Sequence, residues 1–393
     1  MNTKELMLAL LFAGLTSEKL SEEVRAAASG AEAQNSLFAL AKSHDLAHII
    51  GAVLSGEGLL LPKDELADGV DYQKEQMVAV MRYRRLEHEL NSVCEVLEEE
   101  KILHAPLKGS VLRAYYPKPW MRTSCDIDVL VHPEDADRAA TLLVERLGYK
   151  RGVKGSHDVS LHAESGIHVE LHYALIEDGV FEKASRLLAG VWEHTVKVSE
   201  DSYRRLFTDE MFYFFHISHM AKHFLNGGCG VRPFMDLWIL RHRMEYDDNA
   251  RAELVAKGGL RDFEAAAVRL CECWFGHGEM DELSRQMDNY LFYGGVYGRF
   301  DNQVAVNQIR EGGKFKYALS KIFLPYDVIK FYYPRLQKHR WLTPLYQVRR
   351  WFKLLFCGGA GRSVRTLKRN SNITSAEAAK TEKMLSALGI KTK

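Results

Sequence analysis

Two aspartates one residue apart, Asp126-Ile127-Asp128, open the apolar run Val129-Leu130-Val131. Successive side chains on a strand point to opposite faces, so both carboxylates share one face and Ile127 and Val129 share the other. Adjacent carboxylates repel and raise one another's pKa unless a cation lies between them. Mg²⁺, which takes a few carboxylate oxygens together with substrate phosphates, suits such a pair. The alternative is an exposed strand start with two solvated acids. Upstream, Lys108-Gly109-Ser110 ends an apolar segment, residues 102–107, and starts a short helix. A glycine-serine bend at a strand-to-helix turn lets backbone N–H groups approach phosphate, and Lys108 adds a point charge. Taken alone, Gly-Ser is also ordinary turn chemistry. The combination is what informs: apolar strand, K-G-S, short helix, a loop with Pro117, Pro119 and Arg122, then D-I-D opening a second apolar strand.

Residues 167–172 alternate cleanly and place His168, Glu170 and His172 on one strand face. Glu170 is the candidate third carboxylate, against the alternative of an exposed polar face. His172 could bind phosphate or orient Glu170, or do neither.

On these residues the chain resembles the polymerase-beta-type nucleotidyltransferase superfamily, whose pattern is h-G-[GS], then [DE]-h-[DE], then a third carboxylate on a later strand. More narrowly, L-K-G…Y-Y-P…R…D-I-D-V-L-V followed by I-H-V-E-L-H-Y resembles an uncharacterised bacterial group of nucleotidyltransferase family proteins, which often carries K-G in place of G-[GS]. The similarity is strongest over residues 102–173 and extends into 212–240 and 324–352. Glu170 departs from the aspartate more common in the superfamily and is one methylene longer.

The resemblance implies Mg²⁺ (or Mn²⁺) held by Asp126, Asp128 and Glu170. It implies phosphates bound by Lys108, Gly109, Ser110 and Arg122. The implied reaction moves a nucleoside monophosphate from an NTP, ATP by default, to a hydroxyl-type acceptor with pyrophosphate release. The acceptor would be a small molecule, a peptide or a protein. Competing readings are a nucleotide-binding regulatory module without turnover, a phosphotransferase using the same site, and a helical interaction protein with a decorative acidic strand.

The elements that must position these groups define an α+β fold, a small mixed β-sheet nucleotidyltransferase domain embedded in a largely helical chain. Its 393 residues allow two or three domains. The expected divisions are an N-terminal helical region (1–71), a catalytic domain with its lead-in helix (72–200), a C-terminal helical domain (201–356), and a linker with a short terminal helix (357–393). Residues 6–15 mimic a signal sequence but read as a core helix with Thr3 as cap. A long helix over 72–100 carries an apolar stripe of Met77, Val80, Met81, Leu86, Leu90, Val93 and Leu97. A helix runs from Pro133 to Gly148, and strands follow at 149–153, 158–162 and 167–173, the last two joined by the turn Glu164-Ser165-Gly166.

After residue 203 strand signals fade. Residues 211–224 form an aromatic helix whose His219 and His223 lie one turn apart and could bind metal, phosphate or acceptor, although side chains facing the core or substrate are the stronger reading. Arg232 and Asp236 are spaced as a helical ion pair, with contact to phosphate or acceptor as the functional alternative. Cys271-x-Cys273 with His277 matches zinc poorly and reads as buried thiols. Residues 322–356 mix aromatic and basic side chains; the favoured reading is short helices folded against the protein, ahead of a membrane surface or stacked bases. Glycines 358, 359 and 361 look like a linker, residues 363–372 a mobile stretch, and Thr374 a capping-box start.

Lysines and arginines number 53 against 52 acids, so no global field favours nucleic acid. No segment is long and apolar enough to span a bilayer, and six scattered cysteines suit a reducing cytoplasm.

Overall fold

A computed structural model describes all residues except 177–180, 277, 293–294, 296–299, 357–359 and 391–393. The chain divides into two compact units: residues 1–222 with 230–285, and residues 223–229 with 286–393.

The first unit begins with helices α1 (Thr3–Thr16), α2 (Glu22–Ala28), α3 (Ala31–Ser43) and α4 (Ala47–Gly56). The apolar run in α1 is buried, as expected of a core helix. Its cap is Asn2, in a reciprocal box with Glu5, so Thr3 is the first helical residue and not the cap. Helix α5 (Tyr72–Glu99) packs on α4 so closely that a Cβ on Gly51 would sit 2.7 Å from the Cβ of Tyr72. Leu86, Leu90, Val93 and Leu97 of α5 are buried, but Met77 and Met81 are exposed. The apolar period defines a face; it does not say how far along that face a neighbour reaches.

The sheet follows. Strand β1 (His104–Pro106) leads into the one-turn helix α6 (Gly109–Leu112), and β2 (Asp126–Val131) into α7 (Ala136–Leu147). Gly148 closes α7 at φ 69°. Strands β3 (Lys150–Lys154), β4 (Asp158–His162) and β5 (His168–His172) complete a five-stranded sheet of order β1-β2-β5-β4-β3. Within this sheet β2 and β5 pair in parallel, and the other pairs are antiparallel. Ile127, Val129, Val169 and Leu171 turn one face of this mixed sheet into a core shared with α5 and α7.

Helix α8 (Glu182–Ala189) precedes a second, two-stranded sheet of β6 (Thr195–Lys197) and β7 (Arg205–Phe207). This hairpin runs past residue 203, where the sequence loses its strand signal; three-residue strands are too short to show a period. Helices α9 (Asp209–Leu225), α10 (Arg232–Arg243), α11 (Asp248–Lys257), α12 (Arg261–Phe275) and α13 (Glu282–Leu291) follow. Cys271 is buried in α12 and donates to the Phe234 carbonyl, as a packed thiol would; His277 lies outside the described residues.

In the second unit, helices α14 (Phe300–Glu311), α15 (Lys314–Ile322), α16 (Tyr326–Tyr332), α17 (Thr343–Phe356), α18 (Ala360–Asn372) and α19 (Ser375–Ala387) follow in order. Pro325, Pro334 and Pro344 each fall at a helical start, where a missing N–H costs least. Residues 360–372, read as linker end and mobile stretch, are helical; Cys357, Gly358 and Gly359 lie outside the described residues. The capping box at Thr374 and Glu377 forms as expected.

Candidate active site

Parallel pairing of β2 with β5 sets Asp126 beside His168, Asp128 beside Glu170, and Leu130 beside His172. Because the core takes the Ile127 and Val169 face, the acids project from the other. Asp128 and His172 are buried; Asp126 and Glu170 are half-buried. His172 Nε2 lies 2.8 Å from Asp128 Oδ1 and 3.2 Å from Glu170 Oε2. Lys108 Nζ donates to the same Asp128 oxygen at 2.7 Å.

Lys108 reaches that oxygen from a strained bend between β1 and α6, with φ 47° and ψ −123°. A side-chain-bearing residue there costs on the order of 1–3 kcal/mol, a conformation that persists where its surroundings enforce it. Here the Leu107 N–H donates to the Asp128 carbonyl on one side, and the Lys108 carbonyl accepts from the Leu112 N–H on the other.

The charges are unevenly compensated. Burial works to raise the Asp128 pKa, yet Lys108 and His172 hold it well below the usual carboxylate range. Hydrogen bonding to His172 lowers Glu170. Asp126 goes the other way: burial, then Asp128, push its carboxyl up against the opposing pull of Lys108. Burial alone would lower His172, but its two carboxylate partners raise it overall. Three carboxylates thus share the Lys108 ammonium and the His172 imidazole as close partners, with the Arg113 and Arg122 guanidiniums acting from further off. One ligand atom each from Asp128, Glu170 and His172 lie within 4.8 Å of one another, a donor set that fits a divalent metal. Asp126, the carboxylate expected here beside Asp128 and Glu170, is not in this trio, and His172 is.

The Gly-Ser bend carries a second feature. Arg113, only 5% exposed, donates from Nη2 to Ser124 Oγ at 2.9 Å, and Ser124 Oγ donates to the Asp126 carbonyl at 2.9 Å. Burial, then neighbouring Arg122, push the Arg113 guanidinium down to about 10. Arg113 Nε, Ser110 Oγ and His172 Nδ1 are buried and lack a hydrogen-bond partner among the described residues. A Cβ on Gly109 would lie 3.5 Å from Arg122 Nη1 and 3.6 Å from Arg113 Nη2, in ordinary contact with each, so Gly109 sits between two guanidinium groups. Arg113 escaped the sequence reading; its signal was its place one helical turn beyond Ser110.

Arg122, read as a phosphate contact, spends its Nε on Asp236 at 2.7 Å and Nη1 on the Thr123 carbonyl at 2.6 Å. Tyr116 OH donates to the same Asp236 oxygen at 2.7 Å. Arg232 pairs with Asp45 Oδ2 at 2.8 Å, which also accepts from Thr123 Oγ1 at 3.0 Å. Arg232 and Asp236 therefore hold long-range partners in place of the helical pair their spacing suggested. His219 is half-buried against Phe215, and His223 is exposed. Among the described residues neither joins a group of three metal-capable side chains.

A family model described as "Uncharacterised nucleotidyltransferase" matches residues 30–276. That span exceeds half of the chain and contains every residue of the site above. No significant match is found among curated proteins or among solved structures. The chain belongs to this nucleotidyltransferase family.

Proposed function

From that membership, we propose that the protein is a Mg²⁺-dependent (or Mn²⁺-dependent) enzyme that moves a nucleoside monophosphate from an NTP, ATP by default, to a hydroxyl-type acceptor, releasing pyrophosphate. The observation that carries this reading is the gathering of Asp126, Asp128 and Glu170 on one sheet face beside the Gly109 bend, where burial and then Asp128 push the Asp126 carboxyl up. Asp126, Asp128 and Glu170, with His172 on the last two, would hold the divalent ion. Bound there, it would supply positive charge toward the phosphates and the departing pyrophosphate. The phosphates would lie over Gly109 and Ser110, with Arg113 facing them and Lys108 alongside. The place of Gly109 between the Arg113 and Arg122 guanidinium groups supports that pose. Glu170, held low by His172, suits a metal ligand better than a general base. His219, Arg232 and Asp236 belong to the helices that would wall the acceptor side.

One observation favours a second reading, a nucleotide-binding module without turnover: Lys108 already neutralises Asp128. A mass-shift screen of NTPs and Mg²⁺ against candidate acceptors, the protein itself included, separates the two. A gain of one nucleoside monophosphate with matching pyrophosphate supports transfer. Nucleotide binding by thermal shift with no covalent product supports the module. A gain of phosphate alone identifies a phosphotransferase. No Mg²⁺-dependent nucleotide binding at all overturns every reading built on this site.

A further inference from the structure

Between residues 314 and 356 the chain carries ten lysines and arginines against one acid, Asp327; the remainder holds 43 against 51. This basic segment lies in the second unit, beyond the family match. It has a small core of its own, in which Ile329, Leu336 and Tyr346 are buried. Gln347 donates to the Leu324 carbonyl at 2.5 Å and Trp351 Nε1 to the Ile322 carbonyl at 2.8 Å, tying α17 back to the end of α15 and the turn after it.

Helix α17 gives that core Tyr346, and α15 buries Tyr317 in a separate cluster with Val304, Ala305 and Ile373. Phe315, Leu319 and Ile322 of α15, with Phe323 just beyond, are exposed at spacings of four, three and one, which is a single helical stripe. Leu345, Val348, Phe352 and Phe356 of α17 are exposed at spacings of three, four and four, a second stripe. Phe315 is 75% exposed, Phe356 77%, and Trp341 at the head of α17 77%. Lys314 and Lys316 flank the first stripe, and Arg349 and Lys353 the second; all four are exposed. The sequence had favoured these aromatics folding inward. Tyr326, Tyr333 and Tyr346 do so, while the two stripes do not.

We propose that this segment docks on the surface of an anionic lipid bilayer. Basic helices with Phe, Trp and Leu along one face lie in the headgroup plane, apolar face at the acyl boundary and cations on the phosphates. Charge complementarity chooses the occupant: a concentrated positive segment on a nearly neutral chain seeks a polyanionic surface. The aliphatic members of the stripes favour the acyl boundary over nucleic acid, since Leu, Ile and Val offer no ring face for bases to stack on. No helix among the described residues is long and apolar enough to cross a membrane, so the attachment is peripheral.

The test is flotation of the full-length protein with vesicles of phosphatidylcholine alone or with about one-third phosphatidylglycerol. Binding is expected to be at least about tenfold stronger to the anionic vesicles and to fall steeply in about 0.5 M salt. Leu345→Glu with Phe352→Glu should abolish it. Arg349→Glu with Lys353→Glu should erase the preference for anionic lipid; these four side chains are exposed, so melting temperatures should fall little, Arg349 giving up only its place over Tyr333 and Tyr346. If the first pair melts early, the second pair decides. Equal flotation with both vesicles, or with neither, overturns the proposal. So does a wild-type dimer that the first pair dissolves, or retention on RNA without retention on vesicles. None of these outcomes depends on nucleotide transfer.

Discussion

Two buried polar clusters in the first unit handle charge in opposite ways. Around Asp236, one carboxylate meets the Arg122 guanidinium and the Tyr116 hydroxyl, and the adjoining Asp45 meets Arg232 and Thr123. Burial works against the Arg122 charge, yet Asp236 keeps its pKa raised. Around Asp128, three carboxylates share Lys108 and His172, and three buried polar atoms nearby have no partner among the described residues. A cluster that closes on itself fastens parts of the fold together. One left with crowded carboxylates and unsatisfied atoms is shaped for something not yet bound. The same side-chain types serve both purposes, so composition does not distinguish them; the state of completion does.

The largest test of that contrast is Asp128→Asn, which keeps the volume and removes the charge. Turnover, read as pyrophosphate release, should fall by about 10³-fold. Mn²⁺ binding, measured by calorimetry without any acceptor, should be lost while circular dichroism stays native. Normal turnover would sink the metal assignment. Asp236→Ala should behave inversely. Leaving Arg122 buried without its partner is expected to cost about 3–5 kcal/mol of stability, measured by urea unfolding. Mn²⁺ binding by the molecules still folded should survive. If Asp236→Ala abolishes that binding in folded protein, the clamp is part of the site and the contrast fails.

How much of this was legible depends on the distance over which each contact forms. The alternation of Asp126-Ile127-Asp128 and of residues 168–172 is local, and it correctly put the acids on one face of two strands. That β2 and β5 are parallel neighbours, with Asp128 level with Glu170, has no local trace. The clamp is more hidden still: Arg122 and Asp236 lie 114 residues apart, so Arg122 read as a free cation near phosphates. Arg113 sat in plain view on the turn after Ser110, but a lone arginine on a short helix carries no mark of burial. The α15 and α17 stripes misled for the same reason as Met77 and Met81: an apolar period announces a face and not its neighbour.

A pH titration sharpens the closed side of the comparison. His48 is buried against the clamp, its Nε2 3.1 Å from the Met121 carbonyl and its charge coupled to Asp45 and Arg232. Burial dominates and pushes its pKa down from 6.5 to about 4. The folded state therefore holds the neutral ring while the unfolded chain gains a proton on acidification. Stability present above pH 6.5 should be lost as pH falls toward 4, by about 3 kcal/mol at most. His48→Gln should flatten that part of the unfolding profile. An unchanged slope would assign the acid sensitivity elsewhere.

The smallest expected effect is the most discriminating. Ser110 Oγ is buried without a partner among the described residues, so the folded protein gains nothing from it. Removing a buried hydroxyl that makes no hydrogen bond should be neutral or slightly stabilising, because an unsatisfied polar group carries its desolvation cost with no return. If the hydroxyl instead waits for a phosphate oxygen, Ser110→Ala should weaken NTP binding by about tenfold, the worth of roughly one charge-assisted hydrogen bond. Stability and binding would then move independently. Thr123→Val supplies the counterpart: Thr123 Oγ1 is committed to Asp45, so its loss should lower stability and leave NTP affinity unchanged. Should Ser110→Ala destabilise the protein and spare nucleotide affinity, Ser110 would belong with the closed cluster, and the phosphate site at the Gly109 bend would lose its closest witness.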